Sequence, residues 1–373
     1  MRFPHGGGYT AVVRPHLRDL SIDEYPARLR AAGDPAPEAM ARRLALHVHR
    51  RHAFAPAELG IGRARFFAVE RAFSFGPQLE TADVREADDG TRKILFRTRT
   101  GEEFETVLIR NREQYTACLS SQAGCALGCT FCATAALGLL RNLTAGEIAE
   151  SLHRTERRAG IRVTDIVFMG QGEPLQNYDA VMTACTNFNH DLGGCVSRKK
   201  ISISTSGLTD RIRRFTRERR PWRLYLSLHA ADDAVRRTIM PIARHHPLPG
   251  LIDAMCEYQR ECRMPWVTLQ YVAIPGVNMD DAAIDALRTN LAGLRYILNV
   301  IPYNDVGVGY RPPSWREVKD FTTRLRTLGC PVKTRYSAGK QDGMGCGQLA
   351  AERLAVAPAG GHLDAPPGAF SDL

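Results

Sequence analysis

From residue 115 onward, six short runs rich in β-branched and apolar residues alternate with amphipathic stretches of helical period, which restricts this part of the chain to a parallel α/β sheet. The runs cover 115–121, 164–169, 200–205, 223–229, 267–274 and 298–302. The helical stretches cover 144–158, 178–189, 208–217, 251–260, 280–294 and 314–328, the first opened by the capping box Thr144-Ala-Gly-Glu147. Such a sheet is either curled as an open barrel or laid flat, and in both forms reactive groups gather at the carboxyl ends of the strands. Polar and chemically unusual residues stand at those ends. Cys125, Cys129 and Cys132 follow the first run, Gly170-Gln-Gly-Glu-Pro174 the second, Ser204-Thr-Ser206 the third, Ser227-Leu-His229 the fourth and Pro302-Tyr-Asn304 the sixth.

The residues before 115 have a different pattern. Segment 36–52 carries apolar residues at helical spacing with Arg42, Arg43, Arg50 and Arg51 around them, which suits a solvated helix face and an RNA-contacting one equally. Residues 66–108 alternate polar and apolar, and Asp89-Gly90 is a hairpin signal. The expected division is a helical accessory module over 1–65 able to bind RNA, a β-hairpin extension over 66–112, a core over 113–354 and a disordered tail over 355–373. Lys plus Arg outnumber Asp plus Glu by 50 to 40, which favours a polyanionic partner. No apolar run approaches the roughly 18 to 20 residues of a membrane span, and the first residues lack the apolar core of a signal peptide, so a cytosolic protein is expected.

Of ten cysteines, four fall between 118 and 132, and the last three have the spacing C-x3-C-x2-C. A structural zinc takes four protein ligands; three cysteines in one loop leave it incomplete unless Cys118, in a strand, joins them. A [4Fe-4S] cluster accepts a non-protein group at its fourth iron, and three thiolates from one loop suit it. An open iron of this kind can chelate S-adenosylmethionine, the difficult chemistry then belonging to the cofactor. Phe131 would shield the cluster or simply pack. Cys185, Cys195, Cys256, Cys262 and Cys330 are expected in packing roles, and His245-His246 in a loop.

The motifs Cys118-Leu-Ser-Ser-Gln-Ala-Gly-Cys125, Thr130-Phe-Cys-Ala-Thr134, Met169-Gly-Gln-Gly-Glu-Pro-Leu175, Ser204-Thr-Ser-Gly207, Ser227-Leu-His-Ala230, Ile301-Pro-Tyr-Asn304 and Cys346-Gly-Gln-Leu349 occur in order. Together they resemble the RlmN/Cfr family of radical S-adenosylmethionine RNA methyltransferases, which methylate an adenine ring carbon of 23S rRNA and in some members of tRNA. The resemblance implies a partial (βα)6 barrel with a small N-terminal helical module and a β-hairpin extension. It implies that Cys125, Cys129 and Cys132 hold the cluster and that Gly172, Glu173, Ser204, Ser227, Leu228, His229 and Asn304 bind S-adenosylmethionine, two molecules being used per turnover.

The resemblance also implies that Cys346 first accepts a methyl group and that the derived methylene radical adds to the base. Glu105 then removes the ring proton, and Cys118 releases the product by forming a disulfide with Cys346. A monomer reduced by a flavodoxin or ferredoxin is implied as well. An enzyme of the same barrel acting on another RNA, a peptide or a small molecule is the alternative, and a non-catalytic RNA-binding protein with a structural metal is a third. Three departures from the family pattern stand out, the first being that the N-terminal module has no clear counterpart of the family's Arg-Ala-x-Gln segment. The stretch Gly339-Lys-Gln-Asp-Gly-Met-Gly345 before Cys346 is glycine-rich, which permits other backbone conformations, and Gln171 stands where a Met is common.

Overall fold

A computed structural model describes residues 14–52 and 59–349. The tail expected over 355–373 lies outside the described residues. The chain begins with helices α1 (Tyr25–Ala31), α2 (Pro37–Ala45) and α3 (Arg63–Ala72). The apolar stripe foreseen in segment 36–52 faces inward: Met40, Ala41, Leu44, Ala45 and Val48 pack with Tyr25, Leu29 and Phe73 in a core of their own. Beyond α2 the helix widens into a π-type turn, Arg51 N–H donating to Leu46 O at 3.1 Å. Arg42, Arg43, Arg50 and Arg51 are all exposed.

Antiparallel strands follow: β1 (Leu79–Glu86), β2 (Arg92–Thr98), β3 (Glu103–Asn111) and β4 (Gln114–Leu119). The Asp89-Gly90 turn joins β1 to β2, with Gly90 at φ +78°, as its sequence suggests. The expected hairpin is thus part of a larger sheet, because β4 continues in parallel pairing with the strands beyond it. A small ribbon, β5 (Gln122–Gly124) and β6 (Leu139–Asn142), flanks the short helix α4 (Ala133–Ala136).

The α/β alternation then runs α5 (Ala145–Ala159), β7 (Asp165–Phe168), α6 (Tyr178–Asn189), β8 (Ile201–Thr205), α7 (Thr209–Arg217), β9 (Arg223–Ser227), α8 (Asp233–Ile239), α9 (Leu248–Glu261), β10 (Val267–Ala273), α10 (Asp281–Asn290), β11 (Tyr296–Pro302), α11 (Trp315–Leu325) and β12 (Val332–Thr334). All six runs read from the sequence are strands, in the order β4-β7-β8-β9-β10-β11, every neighbouring pair parallel. One face of these strands is made of apolar residues, mainly Ile, Leu and Val, buried in the main core, and the alternate residues face the other way. α5 starts at its foreseen capping box, Thr144 Oγ1 accepting from Glu147 N–H at 3.2 Å and Glu147 from Thr144 N–H at 2.9 Å. Helix α8 and strand β12 carry no periodic signal long enough to read.

The sheet is open, with β1 and β12 at its two edges. The loop after β12 closes much of the gap. Asp89, in the β1–β2 turn, accepts from Gly339 N–H at 2.8 Å, and Lys93 Nζ donates to Gly343 O at 3.3 Å. Of the glycines foreseen as conformationally permissive, Gly339 and Gly343 are used so, with φ of +60° and +66°.

The helical module docks on α5 through buried polar groups. Arg18 and Glu150 form an almost fully buried pair at 3.6 Å, and Glu150 also accepts from Gln78 N–H at 2.8 Å. Beside them His52 stacks on His153 with ring centroids 4.2 Å apart, and His49 donates to Tyr25 Oη at 2.8 Å while that hydroxyl donates to Leu17 O. Burial holds His49 neutral, its pKa lowered from 6.5 to about 3. Below pH 6.5 the unfolded chain therefore binds a proton the folded one refuses, and stability falls as pH drops toward 3. The melting temperature of His49→Phe should decline less steeply than that of the wild type across this window, as followed by circular dichroism. Parallel declines would contradict the assignment.

Candidate active site at the carboxyl edge of the parallel strands

One cavity, open to solvent, lies where the parallel strands end. Its wall contains Cys125, Cys129, Cys132, Gly172, Glu173, Ser204, Ser227, His229, Asn304, Cys118 and Cys346, so most residues singled out from the sequence meet in one place. Leu228 and Glu105 are not in the wall. Leu228 is fully buried and contributes backbone only, its N–H donating to Gln270 O at 3.0 Å. Glu105 lies behind the wall, next to Lys93 at 3.4 Å and accepting from Gln171 Nε2 at 3.2 Å. Strand alternation puts Glu105 on the same face of β3 as Val107 and Ile109, which do line the cavity, and Val107 pairs with Cys118 on β4.

The β7 end is tightly specified. Gly172 has φ +90°, and a Cβ there would stand 2.5 Å from the Gln122 side chain, so two independent reasons demand glycine. Glu173 is buried, which raises its pKa, while Ser206 N–H at 2.7 Å and Leu175 N–H at 2.9 Å hold its carboxylate. Gln171 is the hub of this corner. Its carbonyl accepts from Ser121 N–H at 2.9 Å, its N–H donates to Ser120 Oγ at 2.8 Å, and its side chain reaches Glu105. Through its side chain, the departure noted in the sequence links the β7 end to Glu105 on β3, while the bonds to Ser120 and Ser121 use its backbone and do not depend on the residue type.

Ser204 and Ser227 Oγ atoms, on neighbouring strand ends, are 3.1 Å apart. His229 adopts φ +58°, its Nδ1 accepts from Val272 N–H at 3.0 Å, and Phe131 meets its ring edge to face at 4.9 Å. The Nδ1 contact fixes the proton on Nε2, and burial together with the Arg236 charge lowers the pKa to about 3, so the ring is a neutral donor. Arg236 is fully buried and had no signal in the sequence. Its guanidinium donates to Ser206 O at 2.7 Å, Leu228 O at 3.2 Å and His246 O at 3.4 Å, which ties three loops to one cation. Arg335, equally unforeseen, lines the cavity and donates to Met169 Sδ at 3.5 Å.

The loop bearing Cys346 is attached on both sides. Asn304 Nδ2 donates to Cys346 O at 3.0 Å and to Ser337 Oγ at 2.8 Å; Ala133 N–H, next to Cys132, donates to Gly347 O at 2.8 Å. A Cβ on Gly345 would come within 2.7 Å of Gln348 Oε1 and 3.0 Å of Asn304 Nδ2, so the glycine-rich departure here serves close packing. Burial pushes the Cys118 and Cys125 thiols up to about 12 and raises those of Cys129 and Cys132, Arg335 opposing the rise at Cys118 and Arg236 at Cys129. Cys118 and Cys346 are free thiols.

Comparison with known proteins identifies this constellation. Residues 119–287 match the radical SAM superfamily. The chain is 37% identical over 342 residues to the dual-specificity RNA methyltransferase RlmN of Syntrophobacter fumaroxidans, covering 90% of this chain and 98% of that protein. The chain belongs to the RlmN family of radical S-adenosylmethionine RNA methyltransferases. A probable RNA methyltransferase of Myxococcus xanthus is 37% identical over 94% of this chain and 99% of its own length. The crystal structure of a radical SAM methyltransferase from Sphaerobacter thermophilus superposes with a TM-score of 0.82 at 37% identity, covering 90% of this chain and 99% of that one. The fold is thus the α/β fold of a radical S-adenosylmethionine methyltransferase, with the open sheet described above.

The family implies a [4Fe-4S] cluster and S-adenosylmethionine, and the residues present fit both. Among the described residues no three Cys, His, Asp or Glu side chains converge as one ion requires; a zinc tetrahedron would bring sulfurs to about 3.8 Å from each other, given Zn–S bonds of about 2.3 Å. Three cysteines lining one cavity suit a cube instead, because each thiolate takes its own iron. Iron charge would also relieve the cost of three buried thiolates. Asn304→Ala should speed amide exchange across 345–349 by on the order of tenfold, from the loss of neutral hydrogen bonds each contributing about 1 kcal/mol. Hydrogen exchange read by mass spectrometry checks this; unchanged exchange in that segment would contradict the clamp.

Proposed function

We propose that this methyltransferase acts on an adenine ring carbon, C2 or C8, of ribosomal RNA, with transfer RNA as a further substrate class. The observation that carries the reading is that Cys346 and Cys118, far apart in sequence, face the same cavity as Cys125, Cys129 and Cys132. An adenine carbon bonded between ring nitrogens is electrophilic and does not take a methyl cation. A cysteine able to carry a methyl group beside a radical-generating site answers that difficulty. When bound, the cluster supplies the electron that splits S-adenosylmethionine, two molecules being consumed per turnover.

The chain's own groups have separable tasks in this account. Glu173 and the Ser204 and Ser227 hydroxyls offer acceptors and donors for the amino, carboxylate and ribose groups of S-adenosylmethionine, Gly172 lets it approach the backbone, and neutral His229 presents Nε2–H. Cys125, Cys129 and Cys132 hold the cluster, and Phe131 excludes water beside it. Asn304 fixes the Cys346 backbone, and Cys346 Sγ takes the methyl group from the first S-adenosylmethionine. Once the sulfur-bound carbon has joined the base, Glu105 accepts the ring proton, with Lys93 and Gln171 orienting its carboxylate. Cys118 Sγ then attacks Cys346 Sγ, so that the S–S bond forms as the bond from Cys346 Sγ to the transferred carbon breaks; that bond's electron pair passes to the carbon, which takes up a proton and leaves as the methyl group of the product.

The helical module, with its exposed Arg42, Arg43, Arg50 and Arg51, adds a basic surface for RNA. A monomer in the cytosol, reduced by a flavodoxin or ferredoxin, completes the reading; among the described residues no helix is long and apolar enough to cross a membrane.

Nucleoside mass spectrometry of rRNA and tRNA from cells with and without the gene should reveal one methyladenosine that depends on it. Cys346→Ala should fail to restore that methyladenosine while still splitting S-adenosylmethionine reductively. Cys118→Ser should instead accumulate a covalent protein–RNA adduct visible as a shifted band that nuclease removes. Full methylation by Cys346→Ala would refute the relay, and an unchanged nucleoside profile would move the substrate to a peptide or small molecule.

A further inference from the structure

A second groove adjoins the catalytic cavity and shares Pro302, Tyr303, Asn304 and Ser337 with it. Its outer wall carries two aromatic rings that fold into no core: Trp315 is 63% exposed and Tyr336 52% exposed. Large exposed rings beside a cleft are unusual on a soluble surface unless something covers them. Each has a cation on it. Lys319 Nζ lies 4.9 Å from the Trp315 ring centroid and Lys340 Nζ 6.0 Å from that of Tyr336, and both lysines are exposed. Among the described residues no carboxylate lines the groove, and Arg335, the residue before Tyr336, carries positive charge into the catalytic cavity.

The wall is also rigid. Trp315 opens α11 directly after Pro312-Pro313-Ser314, and the turn is locked by a capping box in which Ser314 N–H donates to Glu317 at 2.8 Å and Glu317 N–H to Ser314 Oγ at 3.3 Å. Glu317 is held in turn by Arg311 at 2.5 Å. A flat ring fixed at its base, with an ammonium at hand and an adjoining path into the active site, combines the two elements of single-strand recognition, a stacking face and a phosphate partner.

We propose that this groove holds a base of the RNA strand adjacent to the target adenine, stacked on Trp315 and Tyr336, with Lys319 and Lys340 meeting its phosphates. The proposal rests on RNA being the substrate. A protein partner would fit the aromatic rings, but the acid-free, lysine-flanked wall and its continuity with the cavity that takes the adenine favour a polyanion whose neighbouring unit is already bound next door.

The test uses the full-length enzyme with reconstituted cluster and a short single-stranded RNA containing the methylated adenine. Wild-type tryptophan emission should be quenched by this RNA, and the quench should disappear in Trp315→Phe while RNA binding, measured by filter retention, largely persists. Trp315→Ala with Tyr336→Ala should weaken RNA binding by about 5- to 150-fold, the range of a lost base–aromatic stack. Reductive cleavage of S-adenosylmethionine without RNA and the melting temperature should stay at wild-type values. Trp266→Ala, which removes a 44% exposed ring at the opposite, amino-terminal end of β10, should leave RNA binding unchanged. Wild-type RNA affinity and methylation in the double variant would overturn the groove assignment and turn attention to a protein partner, leaving the RNA reading intact. A wild-type enzyme that binds and methylates no RNA would overturn both.

Discussion

The Asn304 amide is the connection on which the site depends. From the end of β11 it donates to the carbonyl of Cys346 and to Ser337, while on the far side Gly347 O receives the N–H of Ala133, the residue after Cys132. A loop laid over a cavity must find partners for its backbone groups, and here those partners come from a strand end and from the cysteine loop. The loop that bears Cys346 and the loop of Cys125, Cys129 and Cys132 are thereby fixed to each other as well as to the sheet. The same loop reaches Asp89 in the β1–β2 turn and Lys93 on β2, so the open sheet closes through the segment that carries Cys346. Closure of the fold and placement of Cys346 are one structural event.

Buried charge is organised with equal economy. Glu173, in a region where burial alone would favour its neutral form, keeps two backbone N–H donors. Arg236 joins the loops after β8 and β9 and the segment at His246 through three carbonyls, and its field helps to keep His229 uncharged. A neutral imidazole, a held carboxylate and two neighbouring hydroxyls form a polar lining with few charges of its own. Such a lining suits a zwitterionic cofactor carrying a sulfonium better than a strongly charged pocket would, because each ligand charge meets a preoriented dipole.

The parallel core was legible because each of its strands is a run of β-branched residues bounded by polar ends, and the capping box at Thr144 marked the start of α5. Helix α8, with seven residues, and β12, with three, are too short for periodicity to reveal. C-x3-C-x2-C spacing carried the cluster loop unaided. By contrast, Cys118 and Glu105 looked like ordinary strand residues, and resemblance to a family alone drew attention to them. Gln171 was visible only as an anomaly, its role as a hub being a matter of which strand ends meet. Arg236, Trp315 and Tyr336 gave no signal, since one is an arginine whose burial is set by distant loops and the others are aromatics whose exposure is a tertiary fact.

The central claim is that Cys346 carries the methyl group before the RNA receives it. Incubating the anaerobically reconstituted enzyme with S-adenosylmethionine bearing a deuterated methyl group, without RNA, and then mapping peptides by tandem mass spectrometry tests this most directly. The account predicts one labelled methyl on the sulfur of the Cys346 peptide, chased into adenosine when RNA is added. Labelled RNA from an enzyme whose Cys346 peptide never carries the label would contradict it.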